Sequence, residues 1–312
     1  MAHQPANGKA KKKTSGIVLF ARDAGVALAV VAAILIGMYA YSGLWPPLVV
    51  IESNSMMHTS DNTSHIGAID TGDLVLVKAI DGPTDIKTYM DGYRSGYKTY
   101  GDYGDVIIYR KGGSETVTPI IHRAMIYLEA NPDGNSYSAP SLQDIPKGKW
   151  KTGDPADTWN HITSTILIFG VGYMGQTVSI DMVYLLQGHA QSGFITKGDH
   201  NLDTDVNYWG PEMGYRPIDV SWVVGVARGE LPWFGLLKLW STGTLNSPAP
   251  PNSVRDLWIA LIIIVVSPIA VDVSISLIER KKIGGLRKEY EDEQEEAEAE
   301  DASGRAVEPP ET

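Results

Sequence analysis

Two serines, Ser53 and Ser55, end an apolar, strand-like run that begins at Val49. In an extended chain, side chains two residues apart point to the same face, so the two hydroxyls are expected side by side. A serine hydroxyl is an effective nucleophile only when a base takes its proton and donors stabilise the oxyanion. Ser55 is therefore the candidate nucleophile. The competing interpretation is a strand that runs into an ordinary polar turn.

His122 is the candidate base because it lies inside the strand-like run 120–127, where a sheet would fix its imidazole. An imidazole with a pKa of about 6.5 suits a general base. A core histidine with satisfied hydrogen bonds is the alternative. His58 and His65 lie in a polar loop, where exposure is expected. The other candidates are His3, His161, His189 and His200.

The carboxylate that completes such a site is expected in residues 194–206, which contain Asp199, Asp203 and Asp205. A Ser-His-Asp triad needs only one buried carboxylate hydrogen-bonded to the imidazole. A plain turn is the first alternative. A cation site ranks after it, because the spacing lacks the glycine and terminal glutamate of a calcium-binding EF-hand loop.

Composition excludes several kinds of site. The chain has no cysteine, which rules out disulfides, thiolate catalysis and cysteine-ligated metals. The formal charge of -11 belongs to the C-terminus, since residues 289–312 hold many carboxylates and Arg305 as their one basic residue. The segment 279–312 is therefore predicted to be a disordered acidic tail. No basic stripe interleaved with aromatic residues indicates nucleic-acid binding.

Two uncharged or nearly uncharged segments, 24–45 and 257–278, are predicted to be transmembrane helices. The first would span about 33 Å, and it is longer than the apolar region of a cleaved signal peptide, which is the alternative. Lysine and arginine flank both segments on their outer sides, including the basic N-terminus 1–23. The positive-inside rule then places both termini in the cytoplasm and residues 46–241 outside the membrane.

The region 46–241 is predicted to be an all-β domain, because short runs rich in β-branched residues alternate with turn sequences. The predicted strands are 74–77, 106–109, 120–127, 166–171, 178–186 and 222–227. Two segments, 89–104 and 131–161, are predicted to be surface excursions. The apolar segment 231–240 is expected either to form a core-packed hairpin or to lie in the membrane interface. Residues 242–256 are predicted to be a linker.

The order of these motifs resembles that of type I signal peptidases, in the archaeal and endoplasmic-reticulum branch that uses histidine rather than lysine. The residues that carry the resemblance are Ser53-Asn54-Ser55-Met56, Gly72-Asp73-Leu74-Val75, Gly104-Asp105-Val106-Ile107-Ile108-Tyr109, His122-Arg123 and Thr196-Lys197-Gly198-Asp199-His200-Asn201. The resemblance covers roughly residues 24–239. It departs from the family in a long segment, 129–190, which is predicted to be an insertion, and in His200, which replaces an asparagine.

The resemblance implies a mainly β, membrane-anchored catalytic domain that removes N-terminal signal peptides from exported preproteins, cutting after small residues. It implies that Ser55 is the nucleophile, His122 the general base and Asp205 the carboxylate that orients the imidazole, with Asp199 as a second, supporting carboxylate. Ser53 and the Ser55 backbone N–H would form the oxyanion hole. No cofactor or metal is implied. The implied partners are preprotein signal peptides, membrane lipid and the protein-export translocon.

Two other functions compete with this interpretation. The first is a non-catalytic, membrane-anchored β domain with a tyrosine- and glycine-rich binding face. The second is a self-cleaving serine protease of the same fold. The sequence predicts the peptidase over both, because the serine, histidine and aspartate motifs occur in order and an anchor precedes Ser55.

Overall fold

A computed structural model describes residues 16–59, 62–187, 190–208 and 214–305. The chain divides into two compact units, Met1–Val254 and Arg255–Thr312. The first unit contains every strand of the described residues, and the second unit contains most of one long helix. The strands are β1 Leu48–Val50, β2 Leu74–Lys78, β3 Lys98–Thr99, β4 Asp102–Tyr103, β5 Val106–Tyr109, β6 Ile120–Ala130, β7 Tyr137–Ser138, β8 Trp150–Thr152, β9 Ile166–Val171, β10 Gln176–Ile180, β11 Gly193–Lys197 and β12 Val223–Leu231.

The main sheet is antiparallel, with the strand order β1-β2-β12-β5-β6-β11. Along each strand, successive side chains point to opposite faces of the sheet. Val106 and Ile108 of β5 pack in one buried cluster, whereas Ile107 and Tyr109 of the same strand pack in another. Both faces of the sheet are therefore covered, and this fixes the register that aligns β5 with β6.

Within the predicted insertion, 129–190, strands β8, β9 and β10 form a second antiparallel sheet in the order β10-β9-β8. Its core is shared with the main domain, because Trp150 and Ile168 pack in the same cluster as Met125 and Leu128 of β6. The prediction that 131–161 is a surface excursion is therefore wrong for its apolar side chains. Tyr137, Leu142 and Trp150 are buried.

Two further predictions of local structure are wrong. Residues 89–104 do not form a surface excursion, since they begin with helix α2, Tyr89–Ser95, whose Tyr89 and Met90 are fully buried. The predicted strand 178–186 ends at Ile180, and a short helix, α3 Met182–Leu185, follows. The Asp181 side chain starts α3 by accepting a hydrogen bond from the Val183 backbone N–H.

The N-terminal helix, α1 Gly16–Ser42, ends directly on the sheet. The Ser42 hydroxyl donates to the Val77 carbonyl over 2.5 Å, and the Ala79 N–H donates to the Ser42 carbonyl over 2.8 Å. The helix ends three residues before the predicted boundary at Trp45, because Gly43 adopts a left-handed conformation with a φ of 71°. Strand β1 therefore follows the apolar helix after only five residues.

The segment 231–240 does not form the hairpin that was one of its two predicted structures. It ends β12 and enters helix α4, Gly235–Thr242. Leu236 and Leu239, three residues apart on one helical face, are buried, whereas Leu237 and Trp240 are exposed. The helix therefore packs one face against the domain and leaves an apolar face uncovered.

The C-terminal helix, α5 Pro251–Arg305, begins inside the predicted linker and continues through most of the predicted tail. The prediction of disorder does not hold for residues 279–305, where glutamate, alanine, lysine and arginine favour a helix. Residues 306–312 lie outside the described part of the chain. By length and composition, Phe20–Ser42 of α1 and Pro251–Gln294 of α5 could each cross a membrane, and the N-terminal helix also fits a signal sequence.

A buried carboxyl near the start of β2 predicts a pH-dependent stability. The Asp73 side chain accepts hydrogen bonds from the backbone N–H groups of Asp70 and Trp233, and burial raises the pKa of Asp73 to about 7. The folded state favours the protonated form of Asp73. The resulting contribution to the free energy of unfolding is therefore complete below the ordinary pKa of 3.8 and is lost as the pH rises through about 7. We expect the free energy of unfolding to fall by about 3 kcal/mol between pH 5 and pH 8.

Denaturant unfolding of the detergent-solubilised chain at a series of pH values measures this dependence. Asp73→Asn, which cannot ionise, should flatten the curve over the same interval. An unchanged slope in the variant would show that other groups cause the pH dependence.

Candidate active site

Ser55 lies in a loop that leaves β1 and is fastened at both ends. The Ile51 N–H donates to the Asp73 carbonyl over 2.9 Å, and the Gly72 N–H donates to the Ile51 carbonyl over the same distance. After the serine, Met56 and Met57 are each only 1% exposed and anchor the loop in the core. Ser55 itself is half-buried. Its hydroxyl is therefore held at the surface by an ordered backbone.

His122 is positioned by the centre of the sheet. In β6 it pairs with Ile107 of β5, and its side chain is 7% exposed. Its Nε2 lies 3.0 Å from the Ser55 Oγ, and its Nδ1 lies 2.8 Å and 2.7 Å from the two carboxylate oxygens of Asp205. Because an ionised carboxylate only accepts hydrogen bonds, Nδ1 is the protonated nitrogen and Nε2 is free to accept the serine proton.

Asp205 is held by two further donors besides the imidazole. The Tyr109 hydroxyl donates to the Asp205 Oδ2 over 2.8 Å, and the Thr196 hydroxyl donates to the same oxygen over 2.6 Å. Burial, with the Asp205 charge as a second cause, raises the pKa of Tyr109 well above its usual value, so the phenol stays protonated and remains a donor. These donors therefore hold the Asp205 carboxylate against Nδ1 of the imidazole.

The sequence did not identify Tyr109 or Thr196 as parts of the site. Both occur in the quoted motifs, but their common partner becomes visible only when β5, β6 and β11 are aligned. The signal that could have identified them is their polar character on β5 and β11, the two strands on either side of the strand that carries His122.

Asp199 occupies a different environment from Asp205. It is buried, and its contacts among the described residues are with Arg123 and His58, not with His122. Arg123 Nε and Nη2 donate to its two oxygens over 2.8 Å and 2.6 Å, and His58 Nε2 lies 2.7 Å from Oδ2. Burial by itself raises the pKa of Asp199, but Arg123 and His58 outweigh it and hold that pKa well below its usual range.

The third carboxylate, Asp203, is exposed and accepts from the Thr204 backbone N–H and the Asn207 side chain. The structure thus brings Asp205 to the imidazole, places Asp199 in an ion pair beside it, and leaves Asp203 at the rim. The sequence had left open which carboxylate contacts His122.

Arg123 links Asp199 to the chain segment before β5. Its side chain is 1% exposed, and its Nη1 donates to the carbonyl oxygens of Thr99, Tyr103 and Gly104. The guanidinium therefore has both a carboxylate and several backbone acceptors, which satisfies a fully buried cation. From the sequence, Arg123 is only part of the His122-Arg123 motif, and its contact with Asp199 is not predicted.

The other candidate histidines differ in their exposure and in their partners. His65 is exposed, as expected, but His58 is not, because its ring is enclosed between Asp199 and Tyr173. The His200 N–H donates to the Ser55 carbonyl over 2.9 Å, and its ring contacts Tyr173. His161 lies by Asp133 on the surface. His3 and His189 lie outside the described residues.

Two groups beside the Ser55 hydroxyl could stabilise an oxyanion. The Ser53 Oγ lies 3.2 Å from the Ser55 Oγ. Among the described residues, no acceptor takes the Ser55 backbone N–H. Ser53 and Ser55 both line a cleft of about 600 Å³. Its other lining residues include the apolar Val50, Ile51, Pro119, Ile120 and Leu202, and also His122, Asn201 and Asp203.

No protein-family model matches the chain, and no curated protein matches its sequence. Within the described residues, no group of three or more histidine, aspartate or glutamate side chains is arranged to hold a metal ion. The feature of the described residues that points to a chemical function is the hydrogen-bonded series from Ser55 through His122 to Asp205.

Gly198 gives this site a sharp steric test. A Cβ at this position would lie 2.6 Å from the Ser55 carbonyl oxygen, so the backbone that supports the serine must move. We expect Gly198→Ala to lower the rate of any Ser55-dependent reaction about 100-fold, since small displacements of reacting groups have effects of that size. Gly148→Ala is the matched control, because a Cβ there has no atom within 4 Å. Equal rates for the two variants would contradict the expectation.

Proposed function

We propose that this chain is a membrane-anchored serine endopeptidase of the type I signal peptidase kind, in the branch with a histidine base. It would remove N-terminal signal peptides from exported preproteins. The observation that supports it best is the imidazole of His122, with Nε2 3.0 Å from the Ser55 Oγ and Nδ1 on Asp205. Together these groups make a serine nucleophile with an oriented base.

In the proposed reaction, His122 Nε2 takes the Ser55 proton as Oγ forms a bond to the scissile carbonyl carbon. The carbonyl electron pair moves to oxygen, where the Ser55 N–H and the Ser53 hydroxyl donate hydrogen bonds. When the carbonyl re-forms, the C–N bond breaks and the leaving amine takes the proton from His122. Asp205 accepts from Nδ1–H throughout and stabilises the imidazolium.

The second half of the reaction repeats these steps with water. A water molecule gives its proton to His122 Nε2 and attacks the acyl carbon. The Ser55 Oγ leaves and recovers the proton, which restores the starting state. All groups needed for both halves are side chains or backbone of this chain, and the proposal includes no cofactor or metal.

The connection between α1 and the site supports a membrane-bound substrate. Ser42, the last residue of α1, is hydrogen-bonded to β2, which pairs with β1, and β1 leads into the Ser55 loop. If α1 crosses the bilayer, Ser55 lies close to its surface, where the apolar helix of a signal peptide would present its cleavage site. Both termini would be cytoplasmic, the sheet domain extracytoplasmic, and the export translocon and membrane lipid the neighbours.

The site geometry favours an enzyme over a non-catalytic binding module. Asp205 is 2% exposed, and its oxygens are directed at an imidazole that in turn contacts a half-buried serine hydroxyl. A binding module has no need of this buried polar chain, which costs desolvation unless every member is satisfied. The self-cleaving alternative has no supporting contact among the described residues.

The proposal is tested with the full chain in liposomes and a membrane-inserted preprotein. Mass spectrometry of the product should show a cut after a small residue, and replacing that residue in the preprotein with phenylalanine should abolish the cut. Ser55→Ala liposomes serve as the blank. If the preprotein stays intact with the wild-type chain, or if Ser55→Ala cuts it equally well, the proposal fails.

A further inference from the structure

A stack of three aromatic rings joins the second sheet to both sides of the Ser55 loop. Tyr173 lies in the turn between β9 and β10. Its ring stacks on that of His58, with centroids 5.3 Å apart and planes at 21°, and on that of His200, with centroids 6.4 Å apart and planes at 17°. Its hydroxyl also lies 2.8 Å from the His200 Nδ1.

Each histidine of the stack is tied to the candidate site by a separate contact. His58 follows Ser55 by three residues, and its Nε2 bonds to Asp199, the partner of Arg123. The backbone N–H of His200 donates to the Ser55 carbonyl oxygen. That carbonyl belongs to the residue whose N–H is the proposed oxyanion donor, so tilting the backbone of Ser55 moves the donor as well.

The turn that carries Tyr173 rests on a rigid support. Ile168 and Val171 of β9 and Val178 and Ile180 of β10 are buried in the shared core. Gly101 closes the other side of His58, because a Cβ there would lie 2.8 Å from the His58 Nδ1. The imidazole of His58 is thus held between Gly101 and Tyr173, and its orientation depends on both.

We infer that Tyr173 is a positioning residue for the Ser55 loop, and that the second sheet acts on the site through it. This inference rests on the proposed peptidase function. Tyr173 touches neither Ser55 nor His122 in the hydrogen-bond network; it aligns His58 and His200, which in turn hold the Ser55 backbone and Asp199. Reacting groups that need a precise geometry are best supported by residues whose own positions are fixed by packing.

The test compares Tyr173→Ala with Tyr173→Phe and with Met174→Ala. Met174 is the adjacent residue in the same turn and is 42% exposed, against 40% for Tyr173. With the full chain in liposomes and a preprotein substrate, we expect Tyr173→Ala to lower kcat about 10- to 100-fold with KM unchanged. Tyr173→Phe keeps the ring and should recover most of kcat, and Met174→Ala should match the wild-type chain.

A second measurement does not depend on peptidase activity. Backbone hydrogen exchange, read by mass spectrometry, should become faster in peptides that contain residues 53–59 and 198–201 in Tyr173→Ala but not in Met174→Ala. The inference is overturned if exchange in these peptides is the same in the two alanine variants, or if kcat per folded molecule is the same and only KM changes. A wild-type chain that cuts no preprotein would refute the proposed function, whereas unchanged exchange would refute the positioning role.

Discussion

Asp205→Asn is expected to lower kcat by about 10⁴-fold while the chain stays folded. The amide would offer an N–H or a single carbonyl oxygen to His122 Nδ1, so the imidazole is no longer held with its proton on Nδ1. In the other tautomer the proton is on Nε2, which then has no lone pair to take the Ser55 proton. Tyr109 and Thr196 still have a carbonyl oxygen to donate to, which keeps the side chain in place.

Preprotein cleavage under single-turnover conditions measures this effect directly. Asp203→Asn is the matched control, since Asp203 lies two residues earlier, is exposed and does not contact the imidazole. The assignment of Asp205 would be wrong if the two asparagine variants cleaved at similar rates. A large loss in Asp203→Asn alone would indicate that the exposed carboxylate is the one that acts.

The second large effect concerns stability. Asp199→Asn should destabilise the fold by about 3 to 5 kcal/mol, because it leaves the Arg123 guanidinium buried without its counter-charge. Arg123 and Asp199 side chains are only 1% and 6% exposed, so solvent does little to screen the loss. Activity should fall mainly because less protein is folded. Denaturant unfolding followed by circular dichroism measures the change.

Glu115→Gln provides the comparison for that experiment. Glu115 pairs with Arg110 over 3.6 Å, but its side chain is 79% exposed, and ion pairs of this kind contribute little to stability. Two variants with the same unfolding midpoint would show that the Asp199 pair is not a structural ion pair. In that case its role would have to be sought in the chemistry.

The parts of this protein that sequence could predict are those with a local signature. The β-branched runs gave most strands of the main sheet, and the apolar stretches gave both long helices. Each of these signals lies within a few residues of the feature it predicts. The prediction that Ser55, His122 and Asp205 act together has a different basis, namely the order of the motifs and the family resemblance that this order carries.

The missed parts depend on contacts between distant segments or on weak local signals. Tyr109 and Thr196 meet at Asp205 only because β5 and β11 flank β6. Helix α2 did have a local signal, since Thr88 and Asp91 form a capping box, but the surrounding tyrosines and glycines obscured it. Tyr173 lies 118 residues from Ser55 in the chain, and no local pattern relates the two.

The proposed pair of nucleophile and base is tested most directly by comparing preprotein cleavage by Ser55→Ala, His122→Ala and the double variant. If the two residues form one catalytic unit, each single variant should reduce the rate by at least about 10⁴-fold, and the double variant should be no slower than either. Near-wild-type cleavage by folded Ser55→Ala, or losses that multiply in the double variant, would contradict a serine nucleophile activated by this histidine.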